Sequence, residues 1–408
     1  MRTRARSLIA RFLLSRRANV AIITALMTPA LVGFAGLGTE TAYWYYRQRN
    51  LQGAADVAAF DSALALRAGK TYSMITKTAS ADAVKNGWRA TGGAIVVNTP
   101  PTSGTHQNTN SVEIILTEVE QRYFTALFFR DAVPVKVRAV GTFVANGTAC
   151  MLGLDKTRSK AVQFWGNASA KFDNCNIVSN SSASDSFAVG GAANVTTPCV
   201  STVGGDSVTS GLHLTSCTSV TTKAPPAVDP YASVAAPAAG SCYGGAIGGT
   251  LSPGTYCGGL SLSGNVTLDP GVYVISGGTL KINANANVSG AGVMIYLTNG
   301  AQLSLNGSAT MNISAATTGP YAGLLFYGDR TMAYASQTIN GNATSLFTGA
   351  VYFPSQDIRL LGNFSGAGGC MQVIAATIYY TGSSTFRTDC DTTGMATIQV
   401  PGAVSLVE

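Results

Sequence analysis

Gly264-Asn265-Val266-Thr267-Leu268 is the stretch on which the fold turns. A turn-forming Gly-Asn pair precedes a short run in which apolar and polar residues alternate, the pattern of a half-buried strand. Its outline recurs as Ala284-Asn285-Ala286-Asn287-Val288, Gly307-Ser308-Ala309-Thr310-Met311, Gly341-Asn342-Ala343-Thr344-Ser345, Gly362-Asn363-Phe364-Ser365 and Gly382-Ser383-Ser384-Thr385-Phe386. The steps are 20, 23, 34, 21 and 20 residues, and Gly166-Asn167-Ala168-Ser169 is an earlier copy. A period near 20 with short strands and Gly/Asn corners predicts a right-handed parallel β-helix over 148–408, each coil stacking on the next at about 4.8 Å. Tyr256, Tyr273, Ile275, Tyr296, Leu297, Leu325 and Phe326 are then strand residues, and the long step predicts an insertion around Thr317–Ser336.

Around this repeat, Asn-x-Ser/Thr triplets begin at Asn167, Asn180, Asn194, Asn265, Asn287, Asn306, Asn312, Asn342 and Asn363. Their coincidence with the repeat makes them corner chemistry rather than glycosylation sites. The Pro/Ala-rich stretch 223–240 reads as a loop crossing the surface. Eight cysteines, all beyond residue 149, are even in number and lack CxxC spacing, which favours disulfides over a metal site. Cys370 and Cys390 lie one period apart, so the same corner on adjacent coils brings them within bridging distance. Cys150 with Cys175 is the next candidate pair, followed by proximity by Cys199 with Cys217 and Cys242 with Cys257.

Upstream of the repeat, 41–147 reads as a membrane-proximal α+β domain. A helix is expected at Leu51–Ala68, with a small-residue face (Leu51, Ala54, Ala55, Ala58, Ser62, Ala65, Leu66) that packs on its own domain or against another helix. A second helix is expected at Ser80–Trp88, and strands at Ala94–Asn98, Val112–Thr117 and Val133–Val144. Tyr123-Phe124 and Leu127-Phe128-Phe129 read as core between strands.

The N-terminus sets the topology. Arg2, Arg4, Arg6, Arg11, Arg16 and Arg17 lead into Asn19–Gly38, which carries no charge. Twenty helical residues cross a bilayer core of about 30 Å. Residues 1–17 are then a cytoplasmic basic segment and 18–40 a transmembrane helix, with Arg16 and Arg17 holding the N-terminus inside. Tyr43, Trp44, Tyr45 and Tyr46 form an interfacial belt. The apolar run exceeds a signal-peptide core and no small-x-small site follows, so a retained anchor is expected. Residues 1–49 hold eight Arg and one acid, the same +7 as the whole chain. The basicity is therefore a topology signal, and no nucleic-acid partner is expected.

Arg16-Arg17-Ala18-Asn19-Val20-Ala21-Ile22, the span, Glu40 at its outer end, and Leu51-Gln52-Gly53-Ala54-Ala55-Asp56-Val57-Ala58-Ala59 together resemble the bacterial TadE/TadG-like proteins of Flp (Tad) pilus systems. Arg122-Tyr123-Phe124 and Cys150-Met151-Leu152-Gly153-Leu154-Asp155 resemble a TadG-like subgroup. Ala18 and Ile22-Ile23 stand where the related pseudopilins carry a cleavage Gly and a Glu, so the resemblance does not extend to pilin processing. The Asp-x-Ser-x-Ser of a von Willebrand A domain is missing too: Asp206-Ser207-Val208-Thr209-Ser210 has Val208 at its first serine. The resemblance implies a single-pass protein of the bacterial inner membrane, its C-terminal domain periplasmic or at the cell surface. Its implied partners are other Tad pilus-assembly proteins.

Catalysis on a β-helix needs carboxylates converging on one face. After residue 258 the acids are Asp269, Asp329, Asp357, Asp389, Asp391 and Glu408, and Asp329/Arg330, Asp357/Arg359 and Arg387/Asp389 pair opposite charges locally. The expected protein is non-enzymatic and cofactor-free, assisting Flp/Tad pilus assembly, anchoring or adhesion. A surface adhesin unrelated to pili and a carbohydrate-active enzyme are the alternatives, the former with a carbohydrate or other surface ligand.

Overall fold

The computed structural model describes residues 16–244, 248–342, 344–362, 370–387 and 393–408. Arg2, Arg4, Arg6, Arg11, Asn363, Cys390, Asp389 and Asp391 lie outside the described residues. The chain divides into two compact units, 1–143 with 404–408, and 144–403.

In the first unit, the expected span and the expected Leu51 helix are one helix, α1 (Arg16–Arg67), which runs on through Pro29. Val20, Leu26, Leu31 and Phe34 are exposed, whereas Leu51, Ala54, Ala55, Ala58, Ala59 and Ala63 are almost wholly buried. One helix therefore has an unburied apolar half and a half sunk in protein. α2 (Tyr72–Lys85) starts eight residues before its expected start and buries Ile75, Ala79 and Ala83. β1 (Ala94–Asn98) pairs antiparallel with β2 (Ser111–Glu120), Val97 opposite Ile114. β2 in turn pairs antiparallel with the start of β3 (Val133–Gly153), Ile114 opposite Ala139. The last residues return to the sheet: the Val140 N–H donates to the Glu408 carbonyl at 2.7 Å and the Val407 N–H to the Val140 carbonyl at 3.0 Å. α1 comes so close to β3 that a methyl group on Gly141 would overlap the Ala59 carbonyl.

The second unit is mainly β and its strands pair in parallel. Each turn of the chain adds one strand to each of three stacks. In the first stack, Tyr256 lies opposite Ile275 and Ile275 opposite Leu297. The second stack aligns Leu260, Leu280 and Leu303. The third aligns Val266, Val288 and Met311. Inward apolar side chains from all three form one continuous core, and every strand residue expected from the repeat lies in a strand.

The register differs from the sequence alignment at one step. Asn265 lies opposite Asn287, not Asn285, because Asn283–Ala286 makes a wider corner in which Asn285 takes the left-handed conformation (φ 61°). From Gly307 onward the aligned copies do stack: Thr310 bonds Thr344 across coils at 3.1 Å, and Gly341 lies opposite Gly362. The surplus of the long step is shared between 315–323 and 329–335, on either side of the strand Leu324–Gly328.

The coils are not stacked in chain order. The last coil pairs with the first: Val373 lies opposite Met151, Tyr380 opposite Phe164, and Phe386 opposite Phe172. The chain thus starts near the middle of the stack and winds toward Val200 and Leu212. It then crosses back through 222–241 and winds from Cys242 toward its starting point. That crossing is a strap over the outer face of the first stack, where Ala227 and Tyr231 are buried among Val178, Met294, Tyr327 and Tyr352. Asn180 exchanges two 2.8 Å hydrogen bonds with the Ala227 backbone, and the Tyr352 hydroxyl donates to Asp229 at 2.7 Å. Burial pushes the Tyr231 hydroxyl up to about 12. Disulfides join Cys150 to Cys175, Cys199 to Cys217, and Cys242 to Cys257, with Cα–Cα distances of 5.5, 5.2 and 5.4 Å.

Candidate functional site: the helix α1 and its collar

Arg16 and Arg17 open α1. The first charge after the apolar run, Glu40, is buried, and it acts as a clasp. Its carboxylate accepts the backbone N–H of Tyr123 at 2.5 Å and of Thr125 at 2.9 Å. The connection 121–132 between β2 and β3, with a one-turn 3-10 helix at Thr125–Leu127, is thereby fastened to the helix. One turn earlier, the absence of a side chain at Gly36 leaves room for the Phe124 ring; a methyl group there would overlap it.

The four expected belt residues divide between two environments. Tyr45 and Tyr46 are exposed. Tyr43 meets Tyr123 edge to face at 6.2 Å, and Trp44 lies beneath the Arg122 guanidinium at 5.4 Å. Arg122 also donates to the Asp131 carbonyl at 2.7 Å and covers the Phe129 ring. The expectation that 123–129 is core is corrected here. Tyr123, Leu127, Phe128 and Phe129 are 71%, 79%, 71% and 59% exposed. The connection is apolar, and among the described residues these four side chains stay largely uncovered.

A second clasp was not anticipated. Glu118 and Glu120, two apart on a strand and so on one face, are both 3% exposed. Arg47 from α1 reaches Glu118 at 2.5 Å and Glu120 at 3.1 Å, while Arg89, following α2, bonds both. The Arg89 backbone N–H adds a 2.6 Å bond to Glu118. Buried carboxylates left without their arginines are strongly destabilising, so these pairs lock the helix to the sheet. The signal is in the sequence: Glu118-Val119-Glu120 continues the alternation of the strand expected at Val112–Thr117, which in the structure runs on to Glu120.

Elsewhere the candidate residues are dispersed. Cys370 is disulfide-bonded, and its expected partner Cys390 lies outside the described residues. Asp357 accepts from Thr377 and Ser336 and pairs with Arg359 at 2.9 Å. Asp329 is occupied by Thr331 and Thr298. The Arg330 guanidinium serves the strap, donating to the Val234 and Tyr231 carbonyls and to the Tyr327 hydroxyl. Among the described residues no cluster of His, Cys, Asp or Glu could hold a metal ion.

Residues 18–65 match the model of the Tad family, Flp pilus-assembly TadE/G-like. The match falls wholly within α1 and covers both its unburied half and the half packed on the sheet. Neither the curated proteins nor the solved structures hold a match to this chain. A TadE/G-like segment with an N-terminal apolar helix fits a membrane-anchored pilus-assembly protein.

Proposed function

We propose that this is a non-enzymatic, single-pass protein of the bacterial inner membrane that assists Flp/Tad pilus assembly. In this reading its N-terminus is cytoplasmic, and 144–403 is a right-handed parallel β-helix presented outside for anchoring or adhesion. The observation that carries the reading is the coincidence of the TadE/G-like match with a helix whose first half is apolar and unburied. Such a helix is built for lipid at one end and for a rigid mount at the other. The non-enzymatic reading is supported by the acids: Asp329 and Asp357 are each engaged by local hydrogen-bond donors. Deleting the chain in a host that makes Flp pili tests the proposal. Pilus number, counted by electron microscopy, should fall sharply and be restored by the intact chain. Unchanged piliation would remove the pilus role.

A second reading, a surface-binding protein without a pilus role, is favoured by one feature. The outer face of the third stack carries an exposed row of Thr267, Ser289 and Asn312 beside an open trough, where stacked polar side chains could meet a carbohydrate or other surface ligand. Unchanged piliation together with lost surface attachment would favour it.

A further inference from the structure

We propose that the connection 121–132 enters the lipid of the leaflet nearest the sheet domain, so that the protein holds the membrane at a second point beside its span. The proposal rests on the membrane-anchored reading of α1. It starts from a depth. Phe124 touches the helix at Gly36, inside the charge-free run Asn19–Gly38, and Gly36 lies one turn, or about 6 Å, further into the span than Glu40. Whatever surrounds α1 at Gly36 also surrounds the connection that packs on it. The helix surface at this level is itself apolar and unburied, with Phe34 and Leu37 exposed.

The chemistry of the connection fits that depth. Leu127, Phe128 and Phe129 present exposed apolar surface, only the Phe129 ring being partly covered by Arg122 among the described residues, and Tyr123 adds a ring with a polar tip. Amphipathic rings with flanking arginines are the composition of an interfacial segment. Arg130, exposed and next in sequence, offers a cation to lipid phosphates. Backbone groups entering lipid need partners, and the structure supplies several. Glu40 takes the N–H groups of Tyr123 and Thr125, Arg122 takes the Asp131 carbonyl, and the N–H groups of Phe128 and Phe129 reach the Thr125 carbonyl at 3.0 and 2.9 Å. The clasp at Glu40 thus positions the connection and also satisfies backbone donors that lipid could not.

The test uses the full chain in phosphatidylethanolamine–phosphatidylglycerol vesicles, with Phe128→Trp as reporter and the parent protein for the background of its own tryptophans. Flotation with the vesicles and resistance to alkaline extraction report the anchor. Failure there would sink the membrane reading itself. With the protein anchored, the added emission should be blue-shifted and quenched several-fold more by nitroxide on the acyl chains than by aqueous iodide. Quenching by iodide alone would overturn the proposal. Emission reached by neither quencher would also overturn it, because a protein rather than lipid would then cover the site. Phe129→Trp provides an independent reporter should Phe128→Trp fold poorly. Leu127→Glu in the reporter background should lower nitroxide quenching while flotation persists.

Discussion

Glu113 shows how much one side chain can organise. It is fully buried on β2 and accepts hydrogen bonds from Asn98, Thr102, Ser103 and Arg138, with the Arg138 contact at 2.5 Å. Burial works to raise its pKa, but those donors outweigh it and hold the carboxyl at about 2. A folded-state value below the unfolded one, about 4.3, contributes stability that is present above the unfolded value. That contribution is lost as pH falls toward 2. The thermal midpoint of 1–143 should therefore drop between pH 4.5 and 2, followed by circular dichroism in detergent. Glu113→Gln should flatten that slope and cost about 1–3 kcal/mol at neutral pH; an unchanged slope would refute the assignment. Residue-level reading of the sequence failed where the partner was distant. Glu40 was legible as the end of the span, but its burial depends on a connection 83 residues later. The aromatic run 123–129 reads as core in the sequence, yet that apolar groups leave water does not say what receives them. The Asn residues were half legible. Asn306 and Asn342 cap their corners by accepting the N–H two residues on, whereas Asn287 begins a strand and Asn312 lies within one.

Among elements, the contact of α1 with β3 leaves no room for a side chain at Gly141. Gly141 faces the Ala59 backbone and the Ala63 methyl, so even the smallest side chain must push helix and strand apart. Gly141→Ala should destabilise the first unit by about 1–3 kcal/mol, read as a lowered denaturant midpoint. Gly53→Ala, on the same helix with open space around it, should not lower the midpoint. A Gly141→Ala protein as stable as the parent would contradict this packing. The alanine face was legible because its spacing is helical and its residues small. Whether it met a sheet or another helix was not, since both partners ask for the same small residues. Strand existence was read well from β-branched runs, and strand ends poorly, as at Glu118–Glu120. The period near 20 was likewise visible, but corners of unequal width hide the pairing register.

Across the whole molecule, two consequences can be measured. If the span is oriented by its arginines, a reporter active only outside the cytoplasm should work when fused after Glu408. Arg16→Glu with Arg17→Glu should weaken that signal, and activity of a cytoplasm-only reporter at the same place would reverse the topology. The junction between first and last coils carries the second. Phe172 and Phe386 stack at 4.7 Å with their planes 8° apart, both nearly inaccessible. Phe386→Ala should cost about 3–5 kcal/mol and broaden or split the calorimetric transition of 144–403, because the two series of coils lose their shared layer. A sharp, unshifted transition would show that the junction contributes nothing. This junction was beyond sequence reading. The copy at Gly166 was recognisable, but a repeat does not say which copy is its neighbour in space.

The same junction has a meaning in time. A ribosome adds about 5–20 residues each second, so the segment 149–173 is made tens of seconds before 371–387, with which it pairs. During that interval the earliest coil presents unpaired N–H and C=O groups along one side, the kind of surface that recruits stray strands. The final segment works as a seal on the first. A chain interrupted before residue 371 carries an open edge at its middle, a mark by which unfinished molecules differ from finished ones.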